Sequence, residues 1–510
     1  MLKKYLPLSS ALGRTEILQS IKSRIVLSPL GYRLAKGVFW SLGGSFIQKL
    51  MQAICAGFLA KIMGTVRFGE LGAVQSTIGM LGTFAGFGLS LTATRYIARF
   101  KVHDPERAGR IRMLSNFTAW GTGIFVSLIM VGVAPILADR VLAAPHLKNA
   151  LQIGAAYLLL TTICGAQTGV LAGLEEFRLI AVVNLISGIA YLPLVIIGAH
   201  IGGLSGALWG MTASMGLLWS LNHLAIRRAC ESARIPRKAH KWWDELHTLW
   251  NFSVPTLLAN VASAPVFWVC TSILVNTPNG YSEMGIFSAA NVWRTFLMFV
   301  PLTVLQATLP VMSSTYKTDQ IQFRRVIEVC HNFVNIPIMS ICITAMFFSD
   351  LVMGIFGKAY ANGSFVLIGL LASAIIQSSG CAIGGAMQAR GEMWLNFALN
   401  LIWGLLNLGL VYALARQMGA ISMALGNVVG YFVLVILQII KLGHDIPIRM
   451  RKSIVRAWLV AGLSTLGAIL GHEIMPILVR AVVGLFAATL AGVLSWSHSK
   501  VSSAEAMSVP

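Results

Sequence analysis

The sequence predicts an all-α polytopic membrane protein of about fourteen transmembrane helices, with two parallel six-helix bundles around a central cavity and two further C-terminal helices. Composition, the placement of basic residues and an internal repeat predict this class. The 510 residues are 56% hydrophobic and 11% charged, whereas a soluble domain carries about 25% charged residues. Mean hydropathy is +0.75. Apolar runs recur along the chain, each long enough to cross a hydrocarbon layer of about 30 Å as a helix.

The basic residues are clustered between the apolar runs and give a net charge of +21. With a cytoplasmic N-terminus, 30 of the 39 Lys and Arg residues fall on cytoplasmic segments and 7 on opposite loops, while Lys49 and Arg294 lie within spans. This asymmetry predicts that both termini face the cytoplasm. It also argues against a nucleic-acid partner, because no soluble domain is large enough to present the charge as a binding surface.

The chain repeats itself at an offset of 216 residues. The matched residues of the first copy are Gly64, Gly69, Gly169, Glu176, Asn184-Leu185-Ile186 and Gly203, and those of the second are Gly280, Gly285, Gly385, Glu392, Asn400-Leu401-Ile402 and Gly419. A repeat of six spans leaves both copies in the same orientation. It therefore predicts a pseudo-twofold axis along the membrane normal with a cavity between the halves, as in many transporters.

The repeat and the basic loops predict five regions. They are a basic amphipathic cytoplasmic segment (1–37), a first six-helix bundle (38–226), a basic cytoplasmic linker (227–248), a second six-helix bundle (249–440), and a basic loop, two additional helices and a cytoplasmic tail (441–510). The first segment has no apolar run of signal-peptide length and is expected to lie on the membrane surface.

Polar residues inside spans are expected to face the protein interior, because facing lipid is costly. Lys49 and Arg294 are predicted to bind substrate: no Asp or Glu lies in the middle of any span, so their partner would be an anion that arrives with the substrate. Further cavity-lining candidates are Ser45, Gln48, Gln52, Gln75, Asn260, Asn291, Thr295 and Gln306. Candidates for the cytoplasmic mouth are Arg95, Glu176 and Glu392. The alternatives are that the two cations snorkel to an interface and that the hydroxyls and amides join helices.

Other patterns argue against a catalytic, cofactor or metal site. The seven cysteines include no CxxC, the ten histidines form no HExxH and no P-loop occurs. The loops opposite the cytoplasm are short and carry few carboxylates, which leaves little room for an enzyme's site. The glycine run Gly79, Gly82, Gly86 and Gly88 is interpreted as a close-packing helix face.

Several segments carry a family resemblance. They are Gly64–Arg67-Phe68-Gly69, Gly86-Phe87-Gly88-Leu89, Ala93-Thr94-Arg95-Tyr96, Leu171-Ala-Gly-Leu-Glu-Glu-Phe177 with Asn184, Gly285-Ile-Phe-Ser-Ala-Ala-Asn-Val-Trp-Arg294, and Gly391-Glu-Met-Trp394 with Asn400. Over about residues 40–440 the sequence resembles bacterial O-antigen and exopolysaccharide flippases, the polysaccharide-transporter branch of the multidrug/oligosaccharidyl-lipid/polysaccharide exporter superfamily. Thr65-Val66-Arg67 departs from the Gly/Pro-containing turn that is usual there.

The resemblance implies a protein of the bacterial inner membrane that moves undecaprenyl-pyrophosphate-linked oligosaccharide to the periplasmic leaflet, alongside a polymerase and a chain-length regulator. A cationic cavity agrees with this, because ammonium and guanidinium groups form charge-assisted hydrogen bonds to pyrophosphate. Three alternatives remain. They are a multidrug exporter of the same superfamily, for which a buried carboxylate would be expected, a peptidoglycan-precursor flippase, and a membrane glycosyltransferase or polymerase. The sugar, the polymer and the coupling ion stay open.

Overall fold

The computed structural model describes residues 29–86, 88–236, 242–246, 263–443, 446–474 and 484, with side chains from residue 43 onward. Its α-helices are α1 (Pro29–Gly86), α2 (Leu89–Phe100), α3 (Pro105–Ile136), α4 (Lys148–Gly173), α5 (Phe177–Ser232), α6 (Ser263–Val275), α7 (Gly280–Thr318), α8 (Gln320–Phe347), α9 (Ser349–Gly354), α10 (Ser364–Arg390), α11 (Met393–Met418), α12 (Ala420–Lys441) and α13 (Ile448–Ile474). Short turns of other helix types occur at Leu137–Val141, Pro145–Leu147, Trp242–Glu245 and Lys358–Gly363. Within these residues there is no β-strand.

Ten helical stretches of the described chain are long and apolar enough to cross a membrane. Large apolar side chains also point outward, as on α3, where Phe125 and Leu128 are about two-thirds exposed at 65% and 66%. Such a surface would be unfavourable in water and is favourable against lipid. The predicted class, an all-helical membrane protein, is thereby confirmed. The count of fourteen spans stays a prediction. The segment before residue 29 lies outside the described residues, as does the last predicted helix apart from residue 484.

Two of the long helices are interrupted by glycine and reverse direction there. Helix α1 breaks at Gly64 (φ 71°, ψ 178°), and Lys49 and Met80 on either side of the break line one cavity. In a straight helix those residues would be about 45 Å apart, so α1 is a hairpin of two helices. Helix α5 breaks at Gly202 and Gly203. Both breaks fall where loops between spans are expected.

The backbone repeats its conformation at the offset of 216. Gly203 and Gly419 have φ values of 55° and 51° and the same ψ of −129°, a region in which glycine alone is unstrained. Glu176 (φ −84°, ψ 52°) and Glu392 (φ −80°, ψ 50°) directly precede helices α5 and α11. The two halves of the chain thus follow the same local path at matched positions, which supports the predicted pair of bundles.

The halves meet through reciprocal contacts between the second part of α1 and helix α7. A side chain at Gly69 would collide with the carbonyl of Tyr281, and one at Gly285 would collide with the carbonyl of Thr65. Gly72 faces Ser288, again 216 residues away. Pairs that exchange partners in this way are expected at a twofold axis. The crossing of α1 and α7 is therefore the place where the predicted pseudo-twofold axis would pass.

Further hydrogen bonds join the halves at one face of the molecule. This face is formed by loops that are predicted to lie outside the cytoplasm, among them 61–70, 138–148, 276–283 and 350–362. The Tyr281 hydroxyl donates to the Leu142 carbonyl at 2.6 Å, and the Asn276 amide donates to the Val141 carbonyl at 2.7 Å. Thr65 and Ser282 are linked through their hydroxyls at 2.9 Å. The structure is closed at this face, which we call the loop face.

Candidate functional site

A central cavity of about 430 Å³ lies between the two halves, with walls from α1, α4, α5, α6 and α7. The kinked α1 and helix α7 place side chains of both halves around it. Five of the residues predicted to bind substrate or line a cavity do line it: Lys49, Gln52, Gln75, Asn291 and Thr295. Their role toward a substrate stays a prediction, whereas their convergence is a property of the fold.

Lys49 gives this cavity its charge. Its Nζ donates to Oε1 of Gln52, one helical turn away on the same face of α1, at 3.3 Å. Among the described residues that line the cavity Lys49 is the one charged side chain, and none is a carboxylate. A lysine that lacks an acidic partner leaves a net positive field in a space of low dielectric constant, which favours an anion.

Apolar and aromatic side chains form most of the remaining wall, a lining that is typical of ligand pockets. They include Phe287 and Phe296 of α7 together with Tyr157 of α4 and Tyr191 of α5. The two tyrosines were not predicted to line a cavity, since an aromatic residue in an apolar span most often serves in packing. The hydroxyl inside a span was the one signal that could have marked them.

Two predicted cavity residues instead join helices. The amide of Asn184 on α5 donates to the Ser45 hydroxyl at 3.2 Å, and Gln48 packs against Gly188. Neither Ser45 nor Gln48 belongs to the cavity lining. Ser45, Gln48, Lys49 and Gln52 form a polar stripe along α1. The stripe is divided, because Ser45 and Gln48 contact α5 whereas Lys49 and Gln52 face the cavity.

Arg294 lies outside the lining of the central cavity, within the second half. Its Nη2 donates to Oε1 of Gln377 on α10 at 2.6 Å, and its guanidinium carbon is 5.5 Å from the centre of the Tyr431 ring on α12. The buried Nε of this guanidinium has no hydrogen-bond partner among the described residues. The predicted role of Arg294 in substrate binding stays a prediction. To bind substrate, the side chain would first have to leave Gln377.

The remaining candidates are dispersed. Gln306 is exposed and lies outside the cavity lining, and Asn260 lies outside the described residues. Arg95 is exposed on α2. Glu176 and Glu392 precede α5 and α11, and Oε1 of Glu392 pairs with Arg390 at 2.8 Å.

The glycine run of α1 does not pack closely, so the predicted packing face is wrong for three of its members. No atom lies within 4 Å of the position that a Cβ would take at Gly79, Gly82 or Gly86. These glycines line a second cavity of about 630 Å³. It shares Gln75, Gly79 and Tyr157 with the central cavity.

A helical membrane protein with a cavity between two similar halves has the architecture of a transporter, and solved structures share this fold. An inward-facing multidrug resistance MATE family transporter is 15% identical and superposes with a TM-score of 0.66, covering 80% of this chain and 95% of that one. The lipid II flippase MurJ, in an inward closed conformation, is 12% identical with a TM-score of 0.66, covering 90% of this chain and 99% of that one.

The chain belongs to the polysaccharide biosynthesis protein family, whose sequence profile matches residues 34–316. It is similar to the EPS I polysaccharide export inner membrane protein EpsE of Ralstonia nicotianae, with 22% identity over 430 residues that cover 81% of this chain and 93% of that protein. The family resemblance found in the sequence is confirmed at this level: the chain is a polysaccharide biosynthesis protein.

Proposed function

We propose that this protein moves undecaprenyl-pyrophosphate-linked oligosaccharide repeat units from the cytoplasmic to the periplasmic leaflet of the bacterial inner membrane, for O-antigen or exopolysaccharide synthesis. The observation that carries the proposal is the central cavity, in which Lys49 is the one basic side chain and no carboxylate accompanies it among the described lining residues. The pyrophosphate would supply the missing anion through charge-assisted hydrogen bonds to Nζ.

Alternating access is the mechanism that these contacts support. The halves are joined at the loop face, where hydroxyl and carbonyl groups make the hydrogen bonds, and such bonds can break and reform on the time scale of domain motion. In the proposed cycle the loop face opens while the opposite ends of the helices close. The cavity shields the phosphates and sugars, and the prenyl chain stays in the bilayer, where it is already solvated.

The cavity's chemistry also ranks the alternatives. A multidrug exporter for organic cations is disfavoured, because Lys49 would repel such a substrate. A peptidoglycan-precursor flippase would handle the same pyrophosphate, and the family to which the chain belongs favours polysaccharide. Neighbouring genes for glycosyltransferases, a polymerase and a chain-length regulator would support the proposed pathway and these proposed partners.

Lys49 provides the test. A hydrogen bond to a charged group contributes about 1.5–3 kcal/mol, and each 1.36 kcal/mol is about tenfold. We therefore expect Lys49→Ala to lower transport at least about tenfold and Lys49→Arg to retain more of it, since arginine keeps the charge. Transport is measured as delivery of lipid-linked sugars to the periplasmic leaflet in a flippase-deleted strain.

Lys358→Ala is the matched control, since Lys358 is exposed at the loop face. Membrane levels of all variants are compared by immunoblot. Full transport by Lys49→Ala at normal abundance would contradict the proposed role of the cavity.

A further inference from the structure

The second cavity, bounded by α1, α2 and α4, exists because side chains are missing from two facing helices. Gly79, Gly82 and Gly86 of α1 and Gly165 of α4 all line it, and nothing lies within 4 Å of a Cβ placed on any of them. We call this space the glycine chamber.

The same two helices carry other glycines that pack closely. Gly72 of α1 faces Ser288, and Gly169 of α4 lies against the backbone of Ser90 at distances that no Cβ could occupy. Close packing is the usual reason for small residues in membrane helices. That reason applies to Gly72 and Gly169 and fails for the chamber glycines, which instead keep about 630 Å³ open.

The lining of the chamber is uncharged, and it carries hydroxyl and amide groups among a larger number of apolar residues. Its hydroxyl residues include Thr83, which donates to the Gly79 carbonyl at 3.0 Å, and Thr161 and Thr162, which both donate to the Leu158 carbonyl at 2.9 Å. Each hydroxyl donates its hydrogen to a carbonyl of its own helix, and its oxygen can still accept a hydrogen bond from another group. Among the lining residues there is no Asp, Glu, Lys, Arg or His.

The glycine chamber adjoins the charged cavity, since Gln75, Gly79 and Tyr157 belong to both linings. A molecule with its anionic group at Lys49 could therefore extend a neutral part past Gln75 into the chamber. Of the two neutral parts of the proposed substrate, the prenyl chain gains little by leaving the apolar bilayer. The sugar hydroxyls, in contrast, are costly in hydrocarbon unless they are hydrogen-bonded.

We propose that the glycine chamber is the binding site for the oligosaccharide of the substrate, while the Lys49 cavity holds the pyrophosphate. This inference rests on the proposed function and assigns the sugar and the pyrophosphate of the substrate to separate cavities. It implies that the free space at Gly82 and Gly165 limits how many sugar units can be carried.

The test is to fill the chamber and compare two substrates in proteoliposomes of the full chain. The probes are undecaprenyl pyrophosphate carrying one sugar, and the same lipid carrying the complete repeat unit purified from a flippase-deleted strain. The fraction oxidised by periodate added outside the vesicles reports the sugar that has crossed. We expect Gly82→Leu and Gly165→Leu to slow the complete unit at least about tenfold, because leucine occupies the chamber, and to leave the one-sugar lipid within about twofold of wild type.

Gly132→Leu is the matched control: Gly132 lies in helix α3, is exposed, and also has nothing within 4 Å of its Cβ position. It should change neither probe. Equal loss of both probes in the chamber variants would assign the chamber to the shared pyrophosphate or prenyl part and overturn the proposal, as would unchanged transport of the complete unit. If the wild-type protein carried neither of the two probes, the proposed function itself would be overturned.

Discussion

At the scale of single residues, the two intramembrane cations have different surroundings. Lys49 reaches a cavity, and its neighbour there is the Gln52 amide. Arg294 is held by Gln377 and lies near the Tyr431 ring, away from that cavity. Lysine is a mobile point charge, and arginine offers a fixed fork that can bind two oxygens at once. Lys49 is therefore suited to attracting an anion, and Arg294 to orienting one once Gln377 has been displaced.

We predict that Arg294→Ala lowers transport at least about tenfold and that Arg294→Lys restores it only in part, because lysine lacks the fork. The measurement is the delivery of lipid-linked sugars in a flippase-deleted strain. Gln377→Ala separates the two possible roles of Arg294. If the arginine only holds α10, Gln377→Ala should reproduce the loss. Full activity of Arg294→Ala at normal abundance would remove the residue from the site.

At the scale of elements, the helix junctions before α5 and α11 repeat the same backbone turn, and each ends with a glutamate. Neither Glu176 nor Glu392 caps its helix through its side chain. The Arg390–Glu392 ion pair is partly exposed, and such pairs contribute about 0–1 kcal/mol. We therefore expect these two glutamates to stabilise the junctions weakly and to have no direct role in transport.

Glu176→Gln and Glu392→Gln should accordingly keep transport within about twofold of wild type, since each loses no more than a weak surface interaction. Transport of lipid-linked sugars and membrane abundance are measured for each single variant. Abolished transport with normal abundance would show that the replaced glutamate takes part in coupling or binding.

At the scale of the whole molecule, alternating access requires the loop face to open. The hydroxyl oxygens of Thr65 and Ser282 are 2.9 Å apart across the two halves, which places cysteines at these positions within reach of a disulfide. In a variant without the seven native cysteines, Thr65→Cys with Ser282→Cys should cross-link on oxidation and lose transport, and a reductant should restore it. The single-cysteine variants should be insensitive to the oxidant. Full transport by the cross-linked protein would contradict opening at this face.

The orientation of the whole molecule is predicted by the distribution of its basic residues, with 30 of 39 Lys and Arg on one side. Reporter fusions after residue 240 should give a cytoplasmic signal, and fusions near Asn279 a periplasmic one. The same location for both fusions would overturn the predicted number of spans between them.

The sequence by itself determined the class of protein, the internal repeat and the charged residues that are candidates for substrate binding. Hydrophobicity over a span and basic residues between spans are local properties, and matched residues at a constant offset need no coordinates. The pairing of Lys49 with Gln52 also follows from helical spacing, because residues three apart share a face.

Only the tertiary structure decided what each face meets. Helical periodicity gives the polar stripe of α1, yet Gln52 reaches the cavity while Gln48 packs on Gly188, since the answer depends on which helix lies opposite. Likewise, Gly72 and Gly82 are residues of the same type on the same helix, and their surroundings differ. The first meets Ser288 and the second opens onto a cavity, because the packing of distant segments, which no local pattern encodes, determines where space remains.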